Sequence, residues 1–296
     1  MRITEQTAEE KGRKRTFATT DYNFAFLDEG SKREIRRKSL KAVAIPGYQV
    51  AFASREMPIG RGWGTGGLQL TLSLLGRRDV LKVIDQGNDD SVNAVSIRRL
   101  VEETSGIGTT ERTAEATIIQ SRHRVPEEKL RADQILVLQV PQPEPLRKVE
   151  KREELTRTRH AEMDYSAMWL TLYESIVKWG SITLGADYPV MVHDRYIMAP
   201  SPIPRWDTEK LHQSEHLTLL GAGREKKIYA VPPFTNVRPL QFEDYPFQVE
   251  SFDGVCCRHC GSADTFLDET ADETTGVMLY QCSDTAYCKH KREKGW

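Results

Sequence analysis

Cysteine is scarce in this chain. There are five in 296 residues, and none precedes position 256. That distribution excludes a disulfide framework spread through the fold. Thiols gathered in one place point instead to metal binding or catalysis. Long apolar runs are missing too. No stretch approaches the roughly 20 residues that a membrane-spanning helix requires. Charge of one sign is not in excess: 42 basic and 43 acidic residues leave a formal net charge of −1. This balance argues against a general nucleic-acid binder or an anionic-membrane binder. The opening MRITEQTAEEKGRKRTF is charged throughout and lacks an apolar signal core. A reducing, cytoplasmic setting is the expectation.

What is present reads as globular, with 39% hydrophobic and 29% charged residues. Three regions are expected. Residues 1–20 form a charged, flexible extension. Residues 21–248 form the core domain, with a protruding proline- and charge-rich insertion around 141–160. Residues 249–296 form a small region organised by cysteine. Strands and helices mix without regular alternation. The expected class is therefore α+β or a mixed-sheet α/β main domain, with a small cysteine-rich, metal-binding C-terminal region.

Local patterns place the elements. Ser31 and Glu34 have capping-box spacing before a helix that Pro46-Gly47 ends. DVLKVID reads as a buried strand. A helix opens at Ser91 and stops at Gly106. EATIIQSRHRV and QILVLQV read as strands. Tyr165, Met168, Trp169, Leu172 and Ile176 recur at helical spacing, and Gly180 closes that helix. YPVMVHDRYIM reads as a hairpin turning at His193-Asp194. PSPIPRWD reads as a proline-rich connector, and LTLLGAGREKKIYAVPPF as a glycine-bearing turn and a strand.

The cysteines are spaced Cys257-x2-Cys260, then 21 residues, then Cys282-x5-Cys288. A C-x2-C pair brings two thiolates to one metal around a tight knuckle, which Gly261 assists. By spacing alone structural zinc comes first, because four thiolates close a tetrahedral site. An iron–sulfur cluster is the other reading. His259, between the two knuckle cysteines, is expected to point outward.

Beyond these spacings, CRHCGS and CSDTAYC closely resemble the C-terminal motif of the family of carbon–phosphorus lyase catalytic subunits, atypical radical-SAM enzymes. DYNFAFLDEGSKREIRR, LKAVAIPGYQV, GWGTGG, DVLKVIDQG, SRHRVPE, LGAGREK and IYAVPPFT resemble that family in the same order. The resemblance covers about residues 21 to 290. Cys256 looks like an addition to the pattern.

The resemblance implies a set of roles. Cys257, Cys260 and Cys282 would hold a [4Fe–4S] cluster whose open iron binds S-adenosyl-L-methionine. Cys288 would be the thiyl residue that attacks phosphorus, and Gly47 the glycyl radical. The plain alternative for Pro46-Gly47 is a turn at a helix end. The implied reaction cleaves α-D-ribose 1-methylphosphonate 5-phosphate to methane and the 1,2-cyclic phosphate. His123 would lie at a subunit interface in a metal or substrate site, with Arg122 and Arg124 able to pair with phosphate oxygens. The stretches holding Gly66 and Gly67, and Gly221, Gly223 and Arg224, would either pack as tight turns or offer N–H groups to phosphate or cofactor. Neither is a P-loop. The implied partners are the other subunits of a core complex and an ATP-binding-cassette protein. Zinc on all four spaced cysteines is expected in an aerobic preparation. The alternative function is a zinc-stabilised scaffold subunit without radical chemistry.

Overall fold

The computed structural model describes residues 27–45, 47, 50–52, 65–85, 87–122, 124–139, 152, 154–155, 170, 174, 177–178, 190–192, 196–198, 205–222, 227–239 and 252–295. The expected N-terminal extension, the insertion at 141–160, the residues named for the helix closed by Gly180, and the turn residues His193-Asp194 lie outside these.

The first helix, α1 (Glu29–Ala44), begins before the expected cap. Asp28 is the N-cap, and its carboxylate accepts the Ser31 N–H. Ser31 is therefore inside the first turn, and Glu34 pairs with Arg37 rather than closing a capping box. A carboxylate three residues ahead of an N–H outcompetes the hydroxyl here because it also answers the helix dipole. β1 (Val50–Ala51) follows. Next come α2 (Thr65–Leu74), β2 (Val80–Asp85) and α3 (Val92–Ser105). α3 starts and stops as its sequence dictates. Ser91 accepts the Ala94 N–H, and Gly106 ends the helix at φ 71°.

The remaining strands are β3 (Gly108–Thr109), β4 (Ile118–Arg122), β5 (Ile135–Gln139), β6 (Val190–Val192), β7 (Tyr196–Met198), β8 (Leu217–Ala222), β9 (Lys227–Val231), β10 (Val237–Pro239), β11 (Leu267–Ala271) and β12 (Met278–Cys282). Two further short helices among the described residues are α4 (Arg205–Leu211) and α5 (Thr285–Glu293). α4 begins inside the stretch expected to be a connector: the residues after Pro204 are free of proline and carry the helix.

Seven strands form the main sheet in the order β1-β9-β8-β5-β4-β2-β3. β3, β2, β4, β5 and β8 run parallel; β9 and then β1 pair antiparallel at one edge. Both faces are covered, and the strand residues alternate accordingly. Val83, Val137, Leu219 and Ile228 join one buried cluster with α1, α2 and α3. Ile84, Leu136, Leu138, Leu220 and Tyr229 join a second cluster with Leu211, Val192 and Val237. β6 and β7 form the expected hairpin, to which β10 adds a third strand. β11 and β12 form a separate two-stranded sheet that carries the cysteines.

Register aligns one row across the main sheet. Asp85 pairs with Arg122, Arg122 with Gln139, Gln139 with Gly221, Gly221 with Ile228, and Ile228 with Val50. For the parallel strands this row lies at or next to their carboxyl ends. The chain leaves β2 toward β3 on one side and returns to β4 on the other. Strand order therefore reverses between β2 and β4, the place where open α/β sheets receive ligands.

Candidate functional site

Four of the five cysteines converge. Cys257, Cys260, Cys282 and Cys288 are all buried, and their sulfurs lie within 4.8 Å of one another. Local chain geometry brings them together in steps. Cys257 N–H donates to the Ser262 carbonyl and Gly261 N–H to the Cys257 carbonyl, each at 2.8 Å, closing the knuckle. Gly261 takes φ 73°, which glycine alone adopts without strain. β12 then ends on Cys282. Asp284 caps α5 by accepting the Tyr287 N–H at 2.9 Å, so Cys288 falls in the first turn, facing the knuckle. Cys256 and His259 are exposed, and His259 accepts from the Arg258 guanidinium.

The thiols are not equivalent. Burial pushes Cys257 up, but N–H groups of Cys260, His259 and Cys282 pull it down further, to about 6. Burial, followed by the neighbouring Cys257 sulfur, pushes Cys288 up to about 12. Cys282 is raised, again chiefly by burial. Closest approaches are 3.4 Å between Cys260 and Cys282, and 3.7 Å between Cys257 and Cys288.

This spacing tests which metal the set fits. A zinc–thiolate bond of about 2.3 Å sets tetrahedral sulfurs about 3.8 Å apart. The four thiols therefore fit a single ion as they stand. In a four-iron cluster each thiolate binds a different iron, so the sulfurs sit farther apart. By donor type, Cys257, Cys260 and Cys282 suit that cluster. By spacing, they would have to spread, and Cys288 would have to stand aside.

The cysteine module sits on the loops that follow β2 and β4, the two flanks of the strand-order reversal. Thr285 donates to Asp89 at 2.6 Å. The Glu127 N–H donates to Asp284 at 3.3 Å, and the Phe266 N–H to the Glu127 carboxylate at 3.0 Å. A Cβ on Gly87, at φ 84°, would collide with the Ser283 side chain. Beneath the module lies Lys82, 1% exposed, which donates to the Glu111 carbonyl and pairs with Asp89 at 3.6 Å. Burial pushes the Asp284 carboxyl up, with Lys82 opposing it.

The other candidate residues are placed as follows. Arg122 forms a two-pronged pair with buried Asp85, one prong at 2.8 Å, and Asn93 donates to the same carboxylate at 2.9 Å. The Arg124 guanidinium lies over the Phe266 ring, 2.9 Å from its centroid. His123, Gly223 and Arg224 lie outside the described residues. Gly66, Gly67 and Gly221 pack together. A Cβ on Gly67 would meet Gln139, and one on Gly221 would meet the Gly66 carbonyl at 2.8 Å. The N-terminus of α2 thus presses onto the carboxyl ends of β5 and β8. Gly47 is buried at φ 78°, just after α1 and three residues before β1.

Sequence reasoning missed Lys82, Asp85, Asp89, Glu127 and Asp284. Lysine inside the apolar run VLKVID was one available signal, since a strand buried on both faces tolerates a charge only where it is paired. Asp284, between Cys282 and Cys288 and just ahead of a helix, offered another, an acidic helix cap.

A family model described as phosphonate metabolism protein PhnJ matches residues 20–294. Alpha-D-ribose 1-methylphosphonate 5-phosphate C-P lyase of Escherichia coli (strain K12) is 56% identical over 272 residues, covering 92% of this chain and 96% of that relative. The alpha-D-ribose 1-methylphosphonate 5-phosphate C-P-lyase of Rhizobium meliloti (strain 1021) is 57% identical over 274 residues, covering 93% of this chain and 92% of that relative. Among the described residues, no helix is long and apolar enough to cross a membrane.

Proposed function

Because the chain belongs to the phosphonate metabolism protein PhnJ family, we propose that it is a lyase cleaving the carbon–phosphorus bond of α-D-ribose 1-methylphosphonate 5-phosphate. Near-full-length identity above half to two relatives that bear this name carries the reading. The convergence of Cys257, Cys260, Cys282 and Cys288 at the sheet's strand-order reversal supports it.

A [4Fe–4S] cluster on Cys257, Cys260 and Cys282, with S-adenosylmethionine on its open iron, would supply a carbon radical when bound. The chain's own residues do the rest. Gly47 gives up an α-hydrogen, and its radical is stabilised by the flanking amides. Cys288 returns hydrogen to Gly47 and becomes a thiyl. Its raised pKa supports this role, because the group stays an S–H hydrogen donor at neutral pH. The thiyl sulfur bonds to phosphorus as the carbon–phosphorus bond breaks and a methyl radical departs. That radical takes hydrogen from Gly47 and leaves as methane. The ribose 2-hydroxyl then displaces the Cys288 sulfur, its proton passing to the thiolate, and the 1,2-cyclic phosphate is released. Arg122 and Arg124, at the mouth of the same crevice, would meet phosphate after exchanging their present partners.

Gly47 and Cys288 start apart. β1 lies four strands from β4, about 19 Å at roughly 4.8 Å per strand. The reaction therefore needs a movement of the module or of the segment holding Gly47. Other subunits of a core complex and an ATP-binding-cassette protein are the proposed partners in that step.

The sulfur spacing favours a second reading, a zinc-stabilised scaffold subunit. An anaerobic assay with the ribosyl methylphosphonate, S-adenosylmethionine and a reductant separates the two. Methane from the iron-reconstituted complex, lost in Cys288→Ala although the cluster assembles, is the expected result. A complex that holds zinc, forms no S-adenosylmethionine-responsive cluster and yields no methane supports the scaffold.

A further inference from the structure

The cysteine module has a hydrophobic cluster of its own. Cys257, Cys260, Leu267, Cys282 and Cys288 form it, with Phe252, Val255, Tyr280 and Tyr287 packed around. No member belongs to either cluster of the main sheet. Among the described residues, the bonds that seat the module are largely polar, and they come from the two loops after β2 and β4. They include Thr285 to Asp89, Glu127 to Asp284 and Phe266, His290 near Glu128 at 3.7 Å, and the Arg124 guanidinium over the Phe266 ring. A unit with its own core and a polar seat can leave that seat without unfolding.

Glu127 holds the seat. Its side chain is 5% exposed, and its two carboxylate oxygens are divided between elements. One accepts the Phe266 N–H of the module; the other pairs with Lys210 of α4. Its backbone N–H also reaches Asp284, the cap of the helix that carries Cys288. Three elements thus meet on one side chain and its own amide. A cavity of about 350 Å³, lined by the loop after β4 and by the end of α4 with the turn that follows it, lies against Glu127 and Lys210.

We propose that Glu127 is a positioning residue: it keeps the Cys288-bearing module docked at the carboxyl ends of β2 and β4, and the module leaves this seat as a unit when its bonds break. The inference rests on the proposed radical reading only for its purpose, which is to carry Cys288 toward Gly47. Docking itself is measurable whatever the chemistry.

Hydrogen exchange on the full-length chain tests it, with zinc content measured in parallel. In Glu127→Ala the amides of Phe266 and Tyr287 should exchange about tenfold faster or more, because the Phe266 N–H loses its acceptor and the module that carries Tyr287 opens with it. The amides of Val83, Val137 and Leu219 should keep their protection, and zinc should stay bound, because the four cysteines move together. Glu127→Gln retains an acceptor for the Phe266 N–H and should restore most of the protection. Unchanged exchange at Phe266 and Tyr287 in Glu127→Ala overturns the proposal. So does an equal loss across the main sheet, or failure of both variants to fold, either of which makes Glu127 structural. No arm depends on turnover, so a failed methane assay and a failed latch remain distinct results.

Discussion

The Sγ atoms of Cys257 and Cys288 lie 3.7 Å apart, which puts the thiol proposed to attack phosphorus inside the four-thiol set that fits a metal ion. One residue then has two incompatible employments. It completes a four-thiol set that fits one ion, and the proposed reaction requires it as a free thiol.

Zinc and iron should therefore differ in their need for Cys288. Protein purified in air should hold about one zinc per chain on four sulfurs, and Cys288→Ala should lose it readily. The same variant should still assemble an iron–sulfur cluster anaerobically, on three thiolates. X-ray absorption at the zinc and iron edges reads both. Equal zinc retention in the variant would remove Cys288 from the ligand set.

The glycine contacts at the carboxyl end of the sheet should resist substitution. Gly221→Ala sets a Cβ 2.8 Å from the Gly66 carbonyl, against backbone that has little room to retreat. A loss of about 1–3 kcal/mol is expected. Gly106→Ala meets open space and strains only φ, so about 1 kcal/mol is expected. Urea midpoints of the two variants give the comparison, and equal losses would mean that Gly66 moves freely.

Arg122→Ala should lower stability as well as any phosphate binding. It leaves the buried carboxylate of Asp85 with Asn93 as its remaining side-chain partner among the bonds named above. About 3 kcal/mol is the expected cost, since an uncompensated buried charge is expensive. The double variant Arg122→Ala with Asp85→Asn should recover much of it in denaturant unfolding.

Acid should destabilise the fold through His216. Burial lowers its pKa from the usual 6.5 to about 4. The unfolded chain takes up that proton near pH 6.5 and the folded chain only near 4. This contribution is complete above about pH 6.5 and is lost as the pH falls toward 4, at most about 3 kcal/mol. His216→Leu should flatten the pH dependence of the unfolding midpoint across that window.

Much of the fold was legible because local physics decides it. Ser91 and Gly106 mark α3 by their chemistry, and VLKVID and ILVLQ read as strands because both faces of the sheet are covered. The spacing of Cys257, Cys260, Cys282 and Cys288 announced a metal site, and the structure brings the same four sulfurs together. The row from Asp85 through Arg122, Gln139 and Gly221 to Val50 was not legible, because register between distant strands leaves no local trace. The same holds for Glu127 and Lys82, whose partners are far away in the chain. Asp28 was missed for a smaller reason. Two acceptors compete for one helix start, and the nearer pattern, Ser31 with Glu34, was the wrong one.

Gly47 poses a special difficulty, because its φ of 78° makes a substitution there strained whatever its chemistry. Isotope labelling avoids that confusion. The most direct measurement is the mass spectrum of methane released anaerobically by the iron-reconstituted complex, with this chain labelled by α-deuterated glycine. Deuterium in the methane is the expected result, because in the proposed reaction the departing methyl takes its hydrogen from the glycine α-carbon. Methane without deuterium, or no methane from a complex shown to hold its cluster, would contradict it.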